Sequence, residues 1–237
     1  MTPNKKLPSA RSTKQDVDSF LRRVAATPVS RAPGQRGRLL FAMDATASRQ
    51  PTWDQAAEIQ AEMFAATAAL GGLEIQLAFY RGFGEFRVSK WTPSAEELLR
   101  LMSSVFCLAG HTQIGKVLAH AVNETKSQKV NALVFVGDCV EEDVDRLGAL
   151  AGELGLLRVP AFMFHEGDDP AAAFAFQEVA RLSGGVYCRF DANSPDVLKN
   201  LLRAVAVYAA GGHRALTDFA EQRGGDILKI AHQMKGR

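Results

Sequence analysis

Cysteine is scarce in this chain: Cys107, Cys139 and Cys188 are the only three in 237 residues. They are odd in number, far apart, and form no C-x-x-C pair. That argues against a disulfide framework and fits a reducing compartment. Long apolar runs are also missing. None approaches the roughly 20 residues of a membrane-spanning helix, and Val24 to Val29 is too short and broken for the apolar region of a signal peptide. A cytoplasmic protein without membrane contact is therefore expected. There is no Gly-x-Ser-x-Gly elbow, no P-loop and no Gly-x-Gly-x-x-Gly after a strand, so three frequent enzyme signatures are absent.

Apolar residues make up 47% and charged residues 23%, as in ordinary soluble globular domains. The length suits one domain with short extensions. The net charge is only +2, but it is unevenly spread. Residues 1–38 carry nine basic residues, from Lys5 to Arg38, against Asp16 and Asp18. Such an arm either touches nucleic acid or an acidic partner, or is a solvated tail. Three regions follow: a basic N-terminal arm at 1–37 with a short helix through Val17, Phe20, Leu21 and Val24, a domain at 38–210, and a helical extension at 211–237 interrupted at Gly224-Gly225.

Within the domain, Arg38 to Met43 and Val130 to Gly137 are short continuous apolar runs, the pattern of strands buried on both faces. Leu73 to Tyr80 and Glu85 to Ser89 flank a glycine-containing turn and read as an antiparallel hairpin. Val159 to His165 and Val186 to Arg189 complete the strands. Helices are expected at Thr52 to Leu70, from Ser94 to about Val105, after Gln113 to about Lys126, and at Glu141 to Leu154, Ala171 to Ser183 and Asp196 to Ala210. This alternation implies a mostly parallel sheet with helices on both faces. Ligands bind such sheets beyond the carboxyl ends of the strands.

Polar residues gather at those ends. Asp44 follows the first buried strand, Thr46 and Ser48 come at alternate positions, Thr112 precedes a helix, and Asp138 follows the strongest strand. Carboxylates, hydroxyls and waters are the ligands that Mg²⁺ prefers, and it usually keeps several waters, leaving room for an outside oxygen. A purely structural reading also exists. Asp44 could form a turn, Ser48 or Thr52 and Thr112 could cap helices, and Asp138 could cap the helix expected at Glu141. Capping explains neither Thr46 nor the convergence on one edge.

Met43-Asp44-Ala45-Thr46-Ala47-Ser48, with Gly110-His111-Thr112 and Val136-Gly137-Asp138, resembles the metal-ion-dependent adhesion site of von Willebrand factor A domains. That pattern is Asp-x-Ser-x-Ser, then a loop threonine, then an aspartate after the fourth strand. The resemblance covers about residues 38–210. It implies a Rossmann-like α/β fold whose sheet has the order 3-2-1-4-5-6 with strand 3 antiparallel. By position, Thr46, Ser48 and Thr112 would coordinate the ion through their hydroxyls, and Asp44 and Asp138 would act directly or through water. Departures are Thr46 for the usual serine, and His111 and Cys139 where glycine is common.

The resemblance implies a non-enzymatic module. Its Mg²⁺, or Mn²⁺ or Ca²⁺, grips an aspartate or glutamate of a protein partner. Bacterial intracellular proteins with this domain resemble partners of AAA+ ATPases. A Mg²⁺-dependent phosphohydrolase is the alternative, but it needs a second aspartate where Thr46 stands. Nucleic-acid tethering through the basic arm is another. Cys139 is either a reactive thiol at a helix N-terminus or a small packed residue.

Overall fold

The computed structural model describes residues 36–50, 72–190 and 195–222, together with Ser19, Arg23, Trp53 and Asp54. The arm helix through Val17 to Val24, most of the Thr52 to Leu70 helix and the Gly224-Gly225 break lie outside the described residues.

Among the described residues six strands form one sheet: β1 (Gly37–Asp44), β2 (Leu73–Arg81), β3 (Glu85–Val88), β4 (Ala132–Gly137), β5 (Ala161–Glu166) and β6 (Val186–Phe190). Their spatial order is β3-β2-β1-β4-β5-β6. Among the pairings of these described strands, β2–β3 is antiparallel and the other four are parallel. This is the expected sheet, with β1 and β4 side by side at its centre. Every residue of β1 and β4 is buried, as a strand covered on both faces requires.

Side chains alternate between two cores. Leu39, Phe41 and Met43 face one core together with α1 (Ala95–Ser103) and α5 (Pro195–Gln222). Leu40 and Ala42 face the other with α2 (Ile114–Ser127), α3 (Val144–Leu156) and α4 (Pro170–Ser183). The result is three layers, helix–sheet–helix. Trp53 fills the first core, donates its indole N–H to Met102 O at 2.9 Å and meets Phe79 edge-on. α5 runs past the expected Ala210, with a break in helical geometry at Gly212, whose φ is 75°. Among the described residues no helix is long and apolar enough to cross a membrane.

The start of α3 also departs from expectation. α3 begins at Val144, capped by the Asp143 carboxylate, which accepts from Arg146 N. Glu141 and Glu142 precede the helix, because their side chains are engaged elsewhere.

Candidate functional site

At the carboxyl end of β1, Asp44 is fully buried. Its Oδ1 accepts from Thr46 N at 2.7 Å, and its Oδ2 accepts from the Tyr80 hydroxyl at 3.1 Å. Tyr80 is its register partner on β2. Burial raises the Asp44 pKa, Thr46 hydrogen bonds oppose that shift, and the neighbouring Asp138 charge adds to it. The site thus holds a carboxylate whose charge is poorly solvated.

A 3₁₀ turn, Ala47–Arg49, follows. Thr46 stands at its start without a side-chain cap bond. Ser48 is exposed, and its Oγ donates to Asp138 Oδ2 at 2.8 Å. That bond joins the ends of β1 and β4. The other Asp138 oxygen, Oδ1, is buried with no hydrogen-bond partner among the described residues.

Thr112 is buried in the loop before α2. Its Oγ1 accepts from Glu141 N at 3.0 Å, while its own N–H donates to Glu141 Oε2 at 2.9 Å. The same oxygen lies 3.1 Å from His111 Nδ1. Glu142 accepts from Ile114 N at 2.5 Å and Gly115 N at 2.9 Å, covering two N–H groups at the start of α2. The loop after β4 therefore clasps the Thr112 loop. That loop is also tied to the other segments by Leu108 N to Ala45 O at 3.0 Å, Cys107 N to Gln50 Oε1 at 2.9 Å and His111 N to Gly82 O at 3.2 Å.

The five expected residues therefore lie on three segments stitched together at one sheet edge. Direct bonds link Asp44 with Thr46 and Ser48 with Asp138. Thr112 reaches the Asp138 segment through Glu141, and among the described residues no hydrogen bond joins it directly to the other four. Two of the capping alternatives are overturned: α2 is preceded by Gln113 rather than Thr112, and α3 is capped by Asp143 rather than Asp138. The Asp44 turn does form, through the Thr46 N–H.

Sequence reasoning missed Tyr80, Arg49, Glu141 and Glu166 as parts of this region. Arg49 is buried and pairs with Glu166, the last residue of β5, and lies 4.0 Å from Asp138 Oδ2. The rule that selected Asp138, a polar residue ending a buried strand, also fits Glu166. Cys139 is half-buried, and its pKa is pushed up to about 12 by burial and then by Asp138 and other carboxylates. The charges that shift it are carboxylates, the reverse of the electropositive setting that activates a thiol. His165 is buried beside Tyr187 and Phe176, and His120 sits 2.7 Å from Gln76 Oε1. Among the described residues no three His, Cys, Asp or Glu side chains group as a metal cluster. The expected ligand set holds two carboxylates and three hydroxyls, a different composition.

The fold is that of von Willebrand factor A domains. A solved von Willebrand factor type A structure from Catenulispora acidiphila superposes with a TM-score of 0.59 at 16% identity, over 75% of this chain and 43% of that one. This chain thus matches less than half the length of that protein. The SpRpn10 VWA domain gives 0.56 at 15% identity, over 71% of this chain and 94% of the domain. Proximal thread matrix protein 1 from the mussel byssus gives 0.56 at 12% identity, over 72% of this chain and 48% of its own. No protein-family profile and no curated protein sequence matches the chain.

Proposed function

We propose that the chain is a non-enzymatic protein-binding module whose divalent cation coordinates an acidic residue of a partner. The carrying observation is the Ser48–Asp138 bond at 2.8 Å, beside a buried Asp138 Oδ1 that has no partner among the described residues. An orphaned carboxylate oxygen next to a second, buried carboxylate suits a hard cation. Asp44, Thr46, Ser48, Thr112 and Asp138 would hold the ion, Mg²⁺ first and Mn²⁺ or Ca²⁺ as substitutes. The ion would supply Lewis-acid attraction for a partner's carboxylate. The chain's own residues supply the rest. The Tyr80 hydroxyl and the Thr46 N–H orient Asp44, Ser48 fixes Asp138, and Glu141 positions the Thr112 loop.

The motif resemblance supports an adaptor or subunit of an AAA+ ATPase-type assembly system as the partner class, in a bacterial cytoplasm. Fold alone does not carry function. Affinity capture with the wild-type chain and Thr112→Ala, in Mg²⁺ and in EDTA, tests the reading. The same proteins should be held by wild type in Mg²⁺ and lost in the other three conditions. Equal retention in EDTA contradicts metal-dependent binding.

A further inference from the structure

Arg49 is a full positive charge enclosed in the acidic end of the sheet, with its side chain 1% exposed. Its Nη1 contacts Glu166 Oε2 and lies 4.0 Å from Asp138 Oδ2. The latter spacing is an ion pair without a direct hydrogen bond. Its Nε and Nη2 are buried with no hydrogen-bond partner among the described residues. A guanidinium with five donors, of which this environment uses few, is poorly compensated. Burial of an arginine is rare unless carboxylates answer it. Here the carboxylates come from the ends of two neighbouring strands, β4 and β5, and the arginine from the turn that carries Thr46 and Ser48.

We propose that Arg49 is an internal counter-ion that holds Asp138 and Glu166 together when no divalent ion is bound, and thereby weakens the binding of such an ion. The inference rests on the metal reading of the site. A cation taken up by Asp138 meets a like charge near the same carboxylate, and like charges in a partly desolvated site repel strongly. Glu166 draws Arg49 away from Asp138, so the two carboxylates divide the guanidinium between them. Arginine suits this role because, unlike lysine, it keeps its charge when buried. The arrangement makes the site responsive to cation concentration instead of permanently filled.

The test is Mn²⁺ titration, followed by the electron paramagnetic resonance signal of free Mn²⁺ and by thermal unfolding, on the full chain and three variants. Arg49→Gln should bind Mn²⁺ roughly tenfold tighter than wild type, and its unfolding temperature should rise more on Mn²⁺ addition. Glu166→Gln should bind more weakly, because Arg49 is left to Asp138 alone. Arg49→Gln/Glu166→Gln keeps the local net charge of wild type and covers the case in which Arg49→Gln does not fold. It should also bind tighter than wild type, which separates Arg49 from a general gain of negative charge. Wild type binding Mn²⁺ with the Arg49 variants no tighter overturns the counter-ion role and leaves the metal reading standing. Absence of Mn²⁺ binding in wild type and all variants overturns the metal reading, and this inference with it.

Discussion

The Tyr80 hydroxyl lies 3.1 Å from Asp44 Oδ2, and both residues are fully enclosed. The pair spans β1 and β2 at the same register, so a neighbouring strand supplies the donor that keeps a buried carboxylate in place. Burial, then the charge and hydrogen bond of Asp44, hold the phenol well above its usual pKa. It therefore stays a donor at any physiological pH. Tyr80→Phe leaves a buried acceptor short of one partner. It should destabilise the fold by about 1–3 kcal/mol in urea denaturation. An unchanged midpoint would show that Asp44 needs no donor from β2.

Gly110 sits where backbone meets backbone. A Cβ there would lie 2.1 Å from Gly82 O, the oxygen that accepts His111 N–H at 3.2 Å. Gly110→Ala must push the Thr112 loop off the β2–β3 turn. The expected loss is about 1–3 kcal/mol of stability, with faster amide exchange at His111 and Thr112. Wild-type stability and exchange in this variant would mean the loop does not depend on its contact with Gly82.

His120 provides a pH signature away from the site. Gln76 Nε2 donates to Ser89 O, so Gln76 Oε1 is the acceptor facing His120 Nε2 at 2.7 Å. The imidazole is held neutral. Burial lowers its pKa below 6.5, and Glu124 opposes the shift. A histidine with a depressed folded pKa contributes stability that is complete above the unfolded value and lost as pH falls through the folded one. Thermal unfolding temperature should fall between pH 7 and pH 5, and His120→Gln, which can still donate to Gln76, should fall less steeply. Parallel curves for the two proteins would exclude His120 as a contributor.

The sheet was legible in sequence because its two central strands are apolar at nearly every position, and the hairpin because glycines separate two short runs. The start of α3 was not. Glu141 and Glu142 are good residues for a first helical turn, but their carboxylates are taken by the N–H groups of Thr112 and of the first two residues of α2, across 27 to 29 residues of chain. Asp143 becomes the cap instead. Side-chain partners so distant in sequence leave no periodic trace.

The site divides in the same way. Asp44, Thr46, Ser48, Thr112 and Asp138 could be picked out because each stands beside a strand end or helix start. Tyr80 reads only as the last residue of an expected strand, since cross-strand register cannot be read from one strand. Arg49 is a charged residue in a polar loop, where solvent is the ordinary surrounding. Its burial depends on Glu166, which lies 117 positions away by number.

Calorimetric titration of Mg²⁺ and Mn²⁺ into wild type, Asp44→Ala and Thr112→Ala tests the central claim most directly. Wild type should bind one ion, and both variants should lose that binding while circular dichroism reports an unchanged fold. Metal affinity preserved in either variant, or no binding to wild type, would contradict a cation held by these side chains.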